Sequence, residues 1–517
     1  MKKNILVALL AAASTLAFAQ TEYDALKLTQ TELSGSARYM AMGGAFGALG
    51  GDATALKDNP AGLGVYRSSE IALSLNSMIQ NTTSTWGSTQ STEDLYKTKL
   101  NSFSYVMTMP RWEEKSSGLL SSNFSFTFNR LQNFNRKVSA NTTGSSFSFT
   151  DFLAAFSEGY SAADLSESTA YPDPYENSNN AWLSVLGYQN YLINPLADNK
   201  WSSILSEGEK VNPSTYLIET GSVSEYGIGW GGNINNNLFL GANLNMQDLS
   251  YSVNSSISES FTQGGGFDLT TALTQSGVGF NLKLGAIYLP SNNLRLGVSF
   301  HTPTIYSISE YTNVKDFTTS EIDKPYLPLQ GYSHDYKITG PLQAQASAAY
   351  LFGKKGLISV EYNYINYPGM RLGLENGDTK YYQDENRNMS NVFIAGQNLK
   401  FGAEYKLNPS FALRAGYALM KSPANAGYLQ GKSLKLNSAN TNTEYFNQFD
   451  TKYLTAGAGY RAAGWFLDLA YAQKIQDEDM YPYQVLRYTG NQVTNIVTPA
   501  AVNTTTHNIV VTLGIKL

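Results

Sequence analysis

Ionisable side chains are sparse in this 517-residue chain, at 15% of the total, so those lying within apolar-patterned segments carry information. Lys283, Arg295, His301, Glu361, Lys400, Glu404, Arg414 and Asp468 sit on the phase opposite an apolar series, which turns them toward an enclosed interior. Two chemistries suit such a set. A cation there can receive the carboxylate of a ligand, and Arg295 and Arg414 are first choices because Arg pairs bidentately. Alternatively, the mixed signs pair with one another and pin an internal segment. His301, His334 and His507 are the only histidines, and their scatter gives no zinc-ligand spacing. Haem ligation through His301 or His334 is a further alternative. Gln476–Met480 (QDEDM) is acidic but lacks the spacing of a calcium loop, and reads as solvated loop. With no Cys, thiolate metal sites, Cys nucleophiles and disulfides are excluded. No Ser/His/Asp set stands out, so the reading is no enzyme, no cofactor and no metal.

The elements that position these residues follow a period of two. Ile509, Val511, Leu513, Ile515 and Leu517 alternate with Asn508, Val510, Thr512, Gly514 and Lys516, and the same rhythm recurs from Ser69 onward. Strands are expected at 69–85, 100–110, 119–139, 221–233, 238–256, 277–289, 294–310, 341–352, 357–372, 396–407, 411–423, 451–461, 465–476 and 504–517. Short links (111–118, 234–237, 290–293, 353–356, 408–410, 462–464) alternate with long ones (140–220, 311–340, 373–395, 424–450, 477–503). Such sorting by parity is the signature of an outer-membrane barrel, with short periplasmic turns and long external loops. Trp230, Tyr288, Tyr350, Tyr405, Tyr460, Trp465 and Tyr471 fall near strand ends, as interfacial girdles do. The expected fold class is therefore an all-β membrane protein, an antiparallel barrel of about fourteen strands in the outer membrane of a gram-negative bacterium.

Ahead of the strands, Lys2, Lys3, the apolar run 5–16 and Ala17-Phe18-Ala19 read as a secretory signal over residues 1–19. A net charge of −5 offers no basic face for nucleic acid. Residues 20–68 are glycine-rich and too short to bury a core, and residues 69–517 form the barrel. Within the link 140–220, Phe152, Leu153 and Phe156, and Trp182, Leu183 and Leu186, are spaced for short amphipathic helices, with Asp151 and Asn180 as N-caps. Those apolar faces pack on each other or form an external groove for a hydrophobic ligand.

The stretch Ala37–Arg67 carries Gly43, Gly44, Gly47, Gly50, Gly51 and Asp52, then Asn59-Pro60-Ala61-Gly62-Leu63, where Pro60 fixes φ. A signal peptide, this glycine-rich segment and about fourteen strands together resemble the FadL/TodX family of outer-membrane transporters for hydrophobic compounds. The resemblance implies that residues 20–68 are a hatch plugging a monomeric barrel. It also implies cargo such as long-chain fatty acids, caught first in an external groove and released sideways through a gap at a kink in strand three. The large insertion here also follows strand three. That strand, around 124–137, carries Asn129, Arg130, Asn133, Asn135 and Arg136, with no Gly or Pro to kink it. Leu517 ends the chain where such barrels more often end in Phe, and still offers an apolar side chain to the barrel-assembly machinery. Partners are thus a hydrophobic small molecule, outer-membrane lipid and that machinery. The rival readings are a docking scaffold or adhesin, a hemin-type receptor, and a general porin, which a plug disfavours.

Overall fold

The computed structural model describes residues 22–110, 117–177, 180–328, 331–425, 443–483, 488–489, 492–493 and 497–517; the leader lies outside them. Fourteen antiparallel strands close into one barrel. They are β1 (Glu70–Trp86), β2 (Thr89–Pro110), β3 (Leu119–Asn133, then Arg136–Asn141), β4 (Val211–Ile234), β5 (Leu238–Phe261), β6 (Gly266–Tyr288) and β7 (Leu294–His301, then Ile305–Thr319). The second half comprises β8 (Tyr332–Thr339, Gln343–Phe352), β9 (Gly356–Ile365, Arg371–Leu374), β10 (Gly396–Lys406), β11 (Phe411–Met420), β12 (Tyr445–Gln448, Thr451–Arg461), β13 (Trp465–Tyr481) and β14 (Ala500–Lys516). Pairing of β1 with β14, from Glu70↔Lys516 to Thr85↔Ala501, leaves no free edge at closure.

The outward phase explains where the membrane lies. Leu244, Phe280, Val298, Val360, Phe401, Leu413, Leu454, Leu469 and Val511 all point outward and are exposed, an apolar belt that only lipid can cover. No helix among the described residues is long and apolar enough to cross a membrane. Tyr288, Tyr350, Tyr405 and Trp465 are exposed beside the short turns, and Tyr460 packs at a tilt against both Phe411 and Trp465, at ring separations of 4.9 and 5.4 Å.

Two links differ from expectation. The spans 86–99 and 257–276 are not loops, because β1 and β2 continue to a turn at Gly87–Ser88, and β5 and β6 to a turn at Thr262–Gly265. The strands run on above the belt with Ser and Thr on the outer face, as in Ser252, Ser256 and Ser260. Period two persists there, but outward apolarity does not. For the same reason β4 starts at Val211 rather than 221. Gln476–Met480 also belongs to β13 rather than to a solvated loop, with Glu478 turned inward. Strands β7, β8 and β9 are interrupted at Pro303, Pro341 and Pro368, each lacking the N–H a ladder needs.

A test of the belt follows. Leu244→Arg should destabilise the barrel by about 2–4 kcal/mol, whereas Ser256→Arg, on the same outward phase above the belt, should be nearly neutral. Unfolding of both variants in lipid bilayers measures the difference.

Candidate functional site: a plugged lumen and the cavity above it

The segment before β1 lies inside the barrel, and local rules shape it. Ser36 caps a short helix, Ala37–Ala41, by accepting from Tyr39 N. Asp52 caps a 3-10 turn at Ala53–Lys57 through Thr54 N, and its other oxygen accepts from Ser36 Oγ at 2.6 Å. Asn59 caps the next turn, Pro60–Val65, through Ala61 N at 3.0 Å, and Pro60 sits at the first position, where no N–H is needed. The Asn59 Nδ2 donates to Gly47 O at 2.7 Å and reaches Ala286 O and Val298 O on the wall at 3.3 Å. The motif thus folds the hatch and fastens it.

The wall receives this backbone through missing side chains. A Cβ at Gly402 would stand 2.6 Å from Met42 O, and one at Gly231 2.6 Å from Gly64 N. At Gly241, Gly297 and Gly416 the nearest atoms are again hatch backbone, of Pro60, Gly47 and Gly43. Such atoms cannot swing aside, so glycine on the lumen phase sets how closely hatch and wall approach.

The lumen charges divide into pairs. Arg414 Nε donates to Glu404 at 2.7 Å and its Nη1 to Asp468 at 2.6 Å, while Arg38 of the hatch shares Glu404 at 3.0 Å. Lys400 donates to Glu361 at 2.7 Å, and the other Glu361 oxygen accepts from Gly47 N at 2.8 Å and Phe46 N at 3.2 Å. Lys283 is paired with Glu225 at 2.6 Å. Arg295 donates to Leu49 O at 2.7 Å, and the His301 Nε2 bonds Asp58 O at 2.7 Å. Arg295 and Arg414, the first choices for a ligand carboxylate, are therefore engaged by the hatch and by wall carboxylates, and neither lines the cavity described below. Sequence reasoning missed Arg38, Asp58 and Glu225, which share these contacts; Glu225 lies in the expected fourth strand.

The external helices bury their apolar faces. Phe152, Leu153, Trp182, Leu183 and Leu186 are buried and Phe156 half-buried, with Phe152 stacked on Phe156 and tilted against Tyr483. These six residues, on the helices Phe149–Phe156 and Trp182–Gln189, belong to or pack against a buried apolar cluster that continues into Leu26 of the hatch and Phe134 and Leu217 of the wall, and do not stand as an open groove. Ser148 is the cap of the first helix, in a capping box with Asp151 at its third position, and the second starts at Ala181 without a side-chain cap.

A cavity of about 220 Å³ lies between hatch residues 22–34 and the surrounding wall. Its apolar lining includes Leu26, Met78, Phe134, Leu217, Val253 and Leu273. Lys27 and Arg136 converge on Glu219, Lys27 at 2.8 Å, and Arg136 also pairs with Glu478 at 2.6 Å. Lys474 pairs with Glu32. Burial raises the carboxyl of Glu22, on the helix Glu22–Thr29, to about 7, and nearby Glu385 and Asp24 add to the shift. Glu219 and Glu478 lie just beyond the expected strand boundaries and Glu22, Lys27 and Glu32 in the hatch, whereas Arg136 and Lys474 lie within expected strands with nothing in the sequence to show what they face.

Strand β3 breaks beside this cavity, despite lacking Gly or Pro. Its ladder to β2 ends at Ser102↔Asn129, a bulge falls between Arg130 and Gln132, and Arg136–Asn141 pairs only with β4. The hatch holds the bent edge: Glu32 N donates to Leu131 O at 2.8 Å, and Asn133 N donates to the Glu32 carboxylate at 3.3 Å. Above the break, β2 and β3 are joined by side chains, Lys97 to Asn135 at 2.5 Å and Asn141 to Ser91 at 3.0 Å, with no backbone ladder among the described residues.

The buried pairs make a direct prediction. Glu404→Gln leaves Arg38 and Arg414 short of a counter-charge, and should destabilise the protein by about 3–5 kcal/mol. Asn59→Ala should cost less, about 1–3 kcal/mol, by stranding buried backbone groups. Both should raise ion conductance in planar bilayers as the hatch loosens.

No protein-family model matches the chain, and no curated protein does either. Solved structures do. A FadL homologue of Pseudomonas aeruginosa aligns with a TM-score of 0.54 at 10% identity, covering 94% of this chain and 99% of that one. The toluene transporters TodX of Pseudomonas putida and TbuX of Ralstonia pickettii align at 0.47 and 0.46, with 13% and 12% identity, each covering 94% of this chain and 99% of the other. With the lipid-facing belt, the closed wall and the internal N-terminal segment, the first of these likenesses makes the chain an outer-membrane β-barrel of the FadL fold.

Proposed function

We propose that the protein passes hydrophobic small molecules passively across the outer membrane, with long-chain fatty acids or related lipids as the cargo class. The observation that carries this reading is the cavity. It is partly apolar and bounded by a hatch that is ion-paired and hydrogen-bonded to the wall. Water and ions gain nothing from such a path, whereas an acyl chain buries its methylenes on Met78, Leu217, Val253 and Leu273. The shared FadL fold supports the same reading.

The route out of the cavity passes between β2 and β3 above Asn129. A cargo molecule there parts side-chain contacts only, not a strand ladder. The hatch need not leave the lumen, so its buried ion pairs stay intact.

Two measurements test this. Deletion of the gene should abolish uptake of labelled fatty acid, and its return should restore it; unchanged uptake rejects the transport reading. Because the chain has no cysteine of its own, a Ser91→Cys/Asn141→Cys pair can close the gap selectively. Oxidation should slow uptake at least about ten-fold, with recovery on reduction. Equal uptake in both states would place the exit elsewhere.

A further inference from the structure

The cavity wall beside the strand-three break carries unmet hydrogen-bonding demand. Asn76 on β1 and Lys99 on β2 are register partners on the lumen phase. Asn76 donates its Nδ2 to Asn508 at 2.8 Å, which leaves its Oδ1 without a partner. Gln80, further along the same face of β1, donates to Thr506 at 3.2 Å and leaves its Oε1 likewise. Gln132 Oε1 at the break and the Thr504 hydroxyl on β14 are orphaned too. These four residues are 3, 8, 9 and 5% exposed, and all line the one cavity together with Lys99. Lys27, Arg136 and Lys474 are held by carboxylates, whereas Lys99 has no ion pair or hydrogen bond among the described residues.

This set is chemically specific. Three of the orphaned atoms are amide oxygens, which only a donor can satisfy; the ammonium needs an acceptor, and the hydroxyl takes either. A hydrocarbon meets none of these needs, and a plain fatty acid supplies acceptors alone. We infer that this corner of the cavity is a head-group subsite for an acyl carboxylate that also bears a hydroxyl, the carboxylate meeting Lys99 and the hydroxyl donating to an amide oxygen of Gln80, Gln132 or Asn76. The inference rests on the transport reading and narrows its cargo to hydroxylated fatty acids. Lys99 and the glutamines are specificity determinants in this scheme, while the acyl chain lies along Met78 and Leu217.

The test uses the full protein in lipid nanodiscs, with displacement of a fluorescent acyl probe by hexadecanoate, 3-hydroxyhexadecanoate and hexadecanol. Wild type should prefer the hydroxy acid over the plain acid by about ten-fold, the scale of one hydrogen bond to a buried group. Lys99→Met should weaken both acids by about ten-fold or more and leave hexadecanol unchanged. A Gln80→Leu/Gln132→Leu variant should erase the ratio between the two acids, a readout that general instability does not mimic. Equal affinity of wild type for the two acids, or no loss in Lys99→Met, overturns the inference while leaving the transport reading in place. If none of the three ligands displaces the probe, the transport reading falls with it.

Discussion

A non-repetitive chain can fill a barrel only if its backbone N–H and C=O groups find partners there, because water is largely excluded and each unmet group is costly. The hatch meets this constraint with very few side chains. Asp52 and Asn59 cap its two 3-10 turns, and the Asn59 amide also ties Gly47 to two carbonyls of the wall. Glu361 reaches in from the wall to take two more N–H groups. The glycines facing them let backbone meet backbone at a distance no side chain permits. Removal of Asn59 or addition of a Cβ at Gly297 therefore affects the same joint, at Gly47 O, from opposite sides.

The charges are a consequence of that packing. Once hatch and wall exclude water, every ion between them needs a counter-ion, and the lumen supplies Arg414 with Glu404 and Asp468, Lys400 with Glu361, and Lys283 with Glu225. Such pairs contribute position more than net stability, since desolvation offsets much of their attraction. They set where the hatch sits, and they leave the upper cavity as the place where Lys99 and several amide oxygens face open space.

The same hatch shapes the wall. Strand β3 leaves β2 at Asn129, and the edge it exposes is completed by Glu32 from the hatch rather than by a neighbouring strand. Cavity, gap and hatch thereby meet at one place. A ligand head group near Lys99 and Gln132 lies beside the stretch of β2 before Ser102, which pairs with β1 and not with β3.

Sequence periodicity determined the architecture: alternation from Ser69 to Leu517, with apolar residues on one phase, specifies strands whose outer faces need lipid, and the small hatch residues specify what fills them. That information is local, because a pleat repeats every two residues regardless of its partners. The roles of particular side chains were decided by tertiary structure. Arg295 and Arg414 looked like ligand cations because alternation gives a residue's face but not what stands opposite it: Leu49 O and Asp468 come from distant parts of the chain, and Glu404 meets Arg414 through the register of their hairpin. Lys99, Glu219 and Glu478 fell just outside the expected strands, where the outward residues turn polar above the membrane and the lipid signal stops. The break in β3 has no Gly or Pro to announce it. It exists because Glu32, far from it in sequence, supplies the hydrogen bonds that the departing strand edge gives up.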